Sequence, residues 1–338
     1  MSVSVTQPVE PAFERMADVL FRPFEVGKWF VLGFCAFLAN LDQGGANFNV
    51  GGNWGGQGGG GGAGGGDFSQ LTDWVGANVG LTVLIVLGVV LLGLGLTALL
   101  QWLASRGKFM FLDGVVHNRG AVVDPWKRFK VPANSFFLLR FAFTVVAGVT
   151  VLCVLLIGLL LAMPDIRAEQ FGAGLIGAIV LGVVVVLPMA ILFGFVQAVL
   201  VDFIVPVMYC RNMKVGQAVE TFWEELLKPH LGTFVLFYLF KTVLAVAAAM
   251  VGFLAVCFTC CLVAIPYLGT VILLPVSVFF RSYSVYFLGQ FGPDWQLIDQ
   301  PPSDEAPSGG QEAVEEPSQK TSQGGDSYRG DEPWVSGD

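Results

Sequence analysis

Four ionisable side chains interrupt the long apolar runs of this 338-residue chain: Arg140, Asp202, Lys241 and Arg281. Charge at membrane depth is expensive, so such residues mark binding or transport sites by default. Three cations with one acid suit the holding of an anion. Counted from the far ends of their expected spans, Arg140 lies 24 residues from Pro164 and Lys241 lies 24 from Ile265. Asp202 lies about 30 from the start of its own span, so the three sit roughly 36–45 Å along their helices at ~1.5 Å per residue. That is the inner edge of a ~30 Å hydrocarbon core. On one reading the long basic side chains snorkel to the headgroups. On the other, Arg140, Lys241, Arg281 and Asp202 converge with Gln101 and Gln197 on a cytosol-facing polar cavity that takes an anionic headgroup. Arg281 is the strongest candidate, only 14 residues past Tyr267 and so roughly 21 Å deep. Asp202 is its expected partner.

Other chemistries lack their residues. Cys257, Cys260 and Cys261 form C-x2-C-C inside an apolar run, where burial suppresses the thiolate that metal or redox work requires. The two histidines, His117 and His230, fall on the opposite side. There is no serine with a histidine base, no carboxylate pair at membrane depth and no His-Glu-x-x-His, which removes intramembrane protease and metallohydrolase readings. No catalytic residue, metal or cofactor is expected. Gly44 to Gly66 holds 14 glycines, but without a preceding strand or a Lys-Ser/Thr pair this is a flexible linker rather than a phosphate loop.

The elements that carry these residues are membrane helices. Hydrophobic residues make up 54% of the chain and charged ones 13%, about half the charge of a soluble domain. Spans are expected at 23–41, 78–103, 133–163, 172–207, 230–264 and 267–290. The first is the weakest, because its fully apolar part runs only from Trp29 to Leu41. Three twelve-residue boxes, AFERMADVLFRP, AVVDPWKRFKVP and AVETFWEELLKP, begin at Ala12, Ala121 and Ala218 and close with proline. Their apolar spacing fits amphipathic helices lying on a membrane surface. The expected fold is therefore all-α membrane, with six transmembrane helices as three helical-hairpin repeats, each preceded by a cytosolic amphipathic helix. Pro188 should kink the fourth span, and Pro275 is a second candidate kink in the sixth.

Lysine and arginine concentrate before the first span, between 104 and 134, between 208 and 229, and in the tail, while the opposite loops hold only Arg167. This bias puts both termini and the boxes in the cytosol, with the glycine-rich loop 42–68 outside. The last 48 residues carry 11 of the 26 acids against two bases, so the net charge of −8 belongs to the tail. The domain reading is a disordered N-terminus 1–11, a membrane domain 12–295 and a disordered acidic tail 296–338.

LFRPFEVGKWFVLGFCAFLA (20–39) and LPVSVFFRSYSVYFLGQFGPDW (274–295) resemble an uncharacterised family of bacterial six-helix membrane proteins, a domain of unknown function. The chain is more distantly similar to the membrane part attached to some glycerophosphodiester phosphodiesterases. The first resemblance implies a bacterial cytoplasmic-membrane location. It brings no catalytic residues, and the soluble catalytic domain of those enzymes has no counterpart here. Two functions are expected: a non-enzymatic accessory or scaffold module whose tail recruits a cytosolic protein, or a transporter or binder of a small anionic or lipidic molecule. The lipid bilayer is the expected partner, and nucleic acid is not.

Overall fold

The computed structural model describes residues 3–43, 78–167, 172–258 and 266–298. The glycine-rich run, Cys260, Cys261 and the acidic tail from 299 onward lie outside them. Every regular element among the described residues is helical. In order these are α1 (Val9–Leu20), α2 (Val26–Ala39), α3 (Val79–His117), α4 (Val123–Arg128), α5 (Lys130–Arg167), α6 (Ala173–Val199), α7 (Val205–Arg211) and α8 (Val215–Thr221). Then come α9 (Leu231–Phe258), α10 (Pro266–Ile272) and α11 (Leu274–Gly289).

Four helical stretches are long and apolar enough to cross a membrane, where six were expected: Gly80–His117, Lys130–Asp165, Ala173–Arg211 and Val215–Ala255. The first expected span is α2, whose 14 residues reach about 21 Å at ~1.5 Å each, short of a ~30 Å core. The last is broken at Leu273 into α10 and α11. Pro275 stands in the first turn of α11, where its missing N–H removes no helix bond. Pro188 lies inside α6.

Burial divides α3, and the continuous stretch of α6 and α7, in two. Leu81 to Leu99 of α3 and Ile176 to Phe195 of α6 expose their large apolar side chains, whereas Ala104 to Val115 and Leu200 to Tyr209 are almost wholly buried. The buried halves join α1, α2, α4, α8 and α11 in a compact head at the end of the bundle where the short connections lie. Phe203 is its centre, with the rings of Phe222, Phe234, Phe237 and Phe287 at 5.0–6.0 Å. Aromatic pairs at such spacing add to the area they bury.

Side chains tie the head together. In α1 the apolar residues Ala12, Met16, Val19 and Leu20 recur at helical spacing and are buried. Their stripe faces the head core, although the box pattern had suggested a membrane surface; Phe13, Phe21 and Phe24 stay exposed. Arg15 donates to the carbonyls of Val115 and Val116, satisfying acceptors left open by the end of α3. Asn118 follows in the left-handed region at φ 52°, which asparagine tolerates better than most residues. The Arg106 guanidinium stacks on Trp102 and Trp126, 4.6 and 4.7 Å from the ring centres, so box two is pinned to α3. Asp113, fully buried, accepts from Tyr209 Oη at 2.8 Å and from Arg119 at 3.1 Å, locking α3 to α7.

The approach of α2 to α3 depends on glycine. A Cβ at Gly107 would stand 2.5 Å from the Ala39 nitrogen, and one at Gly114 would stand 2.4 Å from Leu32 Cδ2. The two helices run antiparallel at a distance only glycine allows. This places the C-terminal end of α2 beside Lys108.

Candidate functional site

Five charged residues on five helical stretches share one depth. Lys108 precedes the end of α3 by nine residues, Arg140 follows the start of α5 by ten, and Asp202 precedes Arg211 by nine. Lys241 follows the start of α9 by ten and Arg281 precedes the end of α11 by eight. At ~1.5 Å per residue this is a layer roughly 12–15 Å inward from the head end. It lies where the buried head meets the exposed apolar belt.

Two ion-pair clusters fill the layer. In the first, Asp42, just past α2, bonds Lys108 at 3.2 Å and also pairs with Arg140. Exposure of the three side chains is 1%, 2% and 5%. Lys108 donates a second bond to the Ala39 carbonyl at 2.6 Å, and Arg140 Nε donates to Gln197 Oε1 at 2.6 Å. Burial works to raise the Asp42 pKa, but the charges and hydrogen bonds of Lys108 and Arg140 outweigh it and hold the carboxyl below the usual range. Gln101 donates to Thr144, whose hydroxyl donates to the Arg140 carbonyl.

In the second cluster, Lys241 Nζ donates to Asp202 Oδ2 at 2.5 Å and Ser284 Oγ to Asp202 Oδ1 at 3.4 Å. Arg281 Nη1 donates to the Val201 carbonyl at 2.7 Å. The sequence explains why that carbonyl is free. Residues Leu200–Ile204 form a π-helical turn in which the Val205 N–H bonds the Leu200 carbonyl. The next donor in that register is residue 206, a proline with no N–H. Val201 is thus left without a helical partner and takes one N–H of Arg281. Such single-turn π segments often accompany functional sites.

A cavity of about 70 Å³ lies at this layer, lined by Lys108, Asp202, Lys241, Arg281, Ser277 and Phe280 among others. Its size exceeds what one water requires. Asp202 is its only acidic lining residue among the described residues. Of the groups in the two clusters, four are cations and two are carboxylates. An uncompensated ion in such a setting costs several kcal/mol even after relaxation.

All four residues singled out by the sequence fall in this layer. They are buried or nearly so: Arg140 4%, Asp202 7% and Arg281 8% exposed, with Lys241 half-buried. Arg140, Asp202 and Arg281 thus have their polar atoms among protein groups. Asp202 acts on Arg281 electrostatically, as expected, but its direct bond goes to Lys241 while Arg281 bonds Val201, and Arg140 turns to Asp42 and Gln197. Sequence reading missed Asp42 and Lys108. A first span over 23–41 that crosses fully puts Asp42 in the external loop, and a second span ending at 103 puts Lys108 in the cytosolic segment. The available signal was the apolar run FMFL resuming at Phe109, directly after Lys108. Among the described residues, no group of three or more His, Cys, Asp or Glu is placed to hold a metal ion.

The model of a family of unknown function (DUF7544) matches residues 3–274, and the chain belongs to that family. The match carries no link to the membrane part of glycerophosphodiester phosphodiesterases. No curated protein and no solved structure matches the chain.

Proposed function

We propose that this protein is a non-enzymatic multi-pass membrane protein that binds a small anionic or lipidic molecule in the cavity lined by Arg281, Lys241 and Lys108. The observation that carries this reading is the excess of buried cations over carboxylates at one depth, beside a cavity with a single acidic wall residue. A buried positive layer at the edge of the apolar belt suits a headgroup whose chains lie in lipid. The lysine and arginine bias supports an orientation in the cytoplasmic membrane with the head and both termini in the cytosol. Holding and releasing such a molecule is also the first requirement of a transporter. The test is to purify the protein in mild detergent and identify retained lipid by mass spectrometry. Wild type is expected to retain an anionic species that Arg281→Ala loses while keeping its helical content. Equal retention by both would refute the assignment.

A second reading rests on the tail, where 11 acids lie in the last 48 residues. There the protein acts as an accessory or scaffold that recruits a cytosolic partner through this charge. Deleting 296–338 should remove co-purifying proteins; an unchanged set would count against the idea.

A further inference from the structure

We infer that the group bound in this cavity carries two negative charges, as a phosphate monoester does, whether borne by a lipid headgroup or as free phosphate. This rests on the anion-binding reading above and specifies its ligand. The two clusters hold Lys108, Arg140, Lys241 and Arg281 against Asp42 and Asp202, and the six groups share one buried layer. Two carboxylates serve the four basic groups: Lys108 and Arg140 share Asp42, Lys241 holds Asp202, and Arg281 hydrogen-bonds a backbone carbonyl. Buried charge is stable only when matched, so one divalent anion neutralises what a monovalent one leaves half uncompensated.

Donor capacity agrees with the charge count. The bond to Val201 uses one of the five N–H groups of Arg281, and the bond to Asp202 uses one of the three of Lys241. Both residues line the cavity. Arg140 Nη1 is buried without a hydrogen-bond partner in the same layer. A guanidinium and an ammonium facing one small space suit tetrahedral phosphate oxygens, with arginine as the fork and lysine as the point charge.

The test uses the full-length protein in detergent and in nanodiscs, with thermal stability as the readout at fixed ionic strength. The probes are inorganic phosphate, sulfate, chloride and formate, and nanodiscs containing phosphatidate or phosphatidylglycerol. Phosphate and sulfate are expected to bind about tenfold or more tighter than chloride or formate, a factor equivalent to about 1.4 kcal/mol. Between pH 8 and pH 5.5 the phosphate effect should weaken relative to that of sulfate as the phosphate ion takes up its second proton, sulfate serving as the control for titration of the protein's own groups. Arg281→Gln should lose the preference for divalent anions, and Arg281→Lys, which keeps the charge, should retain it. Stabilisation by phosphatidate over phosphatidylglycerol assigns the charge to a lipid; stabilisation by free phosphate with no lipid effect assigns it to a soluble ligand. Equal binding of monovalent and divalent anions would overturn the two-charge inference and leave the anion-binding reading standing. No shift beyond the ionic-strength controls would overturn both.

Discussion

Asp42 and Lys108 meet at 3.2 Å with side chains 1% and 2% exposed. One closes the end of α2 and the other lies within a helix that continues through the apolar belt. Their pairing sets α2 alongside the head half of α3. It also fixes the depth at which the remaining charges gather.

Removing one member of this pair should be costly. Asp42→Asn leaves Lys108 and Arg140 buried without their shared carboxylate, and an expected loss of about 3–5 kcal/mol follows from breaking a buried pair on one side. Denaturation of the purified variant beside wild type measures it. The double variant Asp42→Asn/Lys108→Met should recover part of the loss, because it removes the stranded ammonium as well. A double variant no better than the single one would argue that the two residues are not coupled.

The same carboxylate makes a directional pH prediction. Its folded pKa is depressed, so its contribution to stability is fully present above the ordinary aspartate value of ~3.9. It is lost only as pH falls through the lower folded value. Thermal stability of wild type should therefore show no Asp42-dependent change between pH 5 and 8, and the gap between wild type and Asp42→Asn should close below about pH 4. A gap that closes near neutrality would contradict the pairing.

Packing at Gly107 is the third test. Its absent side chain lets the Ala39 backbone approach, and an added methyl would fall 2.5 Å from a nitrogen that cannot move alone. Gly107→Ala is expected to cost about 1–3 kcal/mol through overpacking. Because Ala39 also holds Lys108, the variant should weaken anion binding along with stability. Gly88→Ala, in the exposed belt with open space around it, should do neither.

Cys35 reports on the position of α2. It is 1% exposed, and burial, helped by the charge of Asp113, pushes its thiol up to about 12. Iodoacetamide at pH 8 should leave it unmodified in the folded protein and label it on unfolding, as followed by peptide mass. Rapid labelling of folded protein would mean that α2 is not seated against the head.

Much of this arrangement was legible in the sequence, and the reasons for the gaps are specific. Arg140, Asp202, Lys241 and Arg281 stood out because charge within an apolar run is rare, and simple helix rise placed three of them at the inner edge of the membrane. Their pairing was not legible. It depends on a π-helical turn and on Pro206, which together leave the Val201 carbonyl for Arg281 and Asp202 for Lys241. Asp42 falls just past the first span, 23–41, and only a half-span or re-entrant reading of that segment would bring it to the depth of the other charges. In the structure α2 stops after 14 residues and packs along the glycines of α3, a contact no spacing rule reports. The inward stripe of α1 is a similar case. Ala12, Met16, Val19 and Leu20 define an amphipathic face, but periodicity alone does not say whether lipid or protein covers it.

Anion binding at Arg281 is read out by an electron cryomicroscopy map of the protein in native-lipid nanodiscs at a resolution that shows headgroups. Density the size of a phosphate group is expected within about 3 Å of Arg281 and Lys241, lost in Arg281→Ala. A map in which this cavity holds only water, with the Arg281 side chain directed toward lipid, would contradict it.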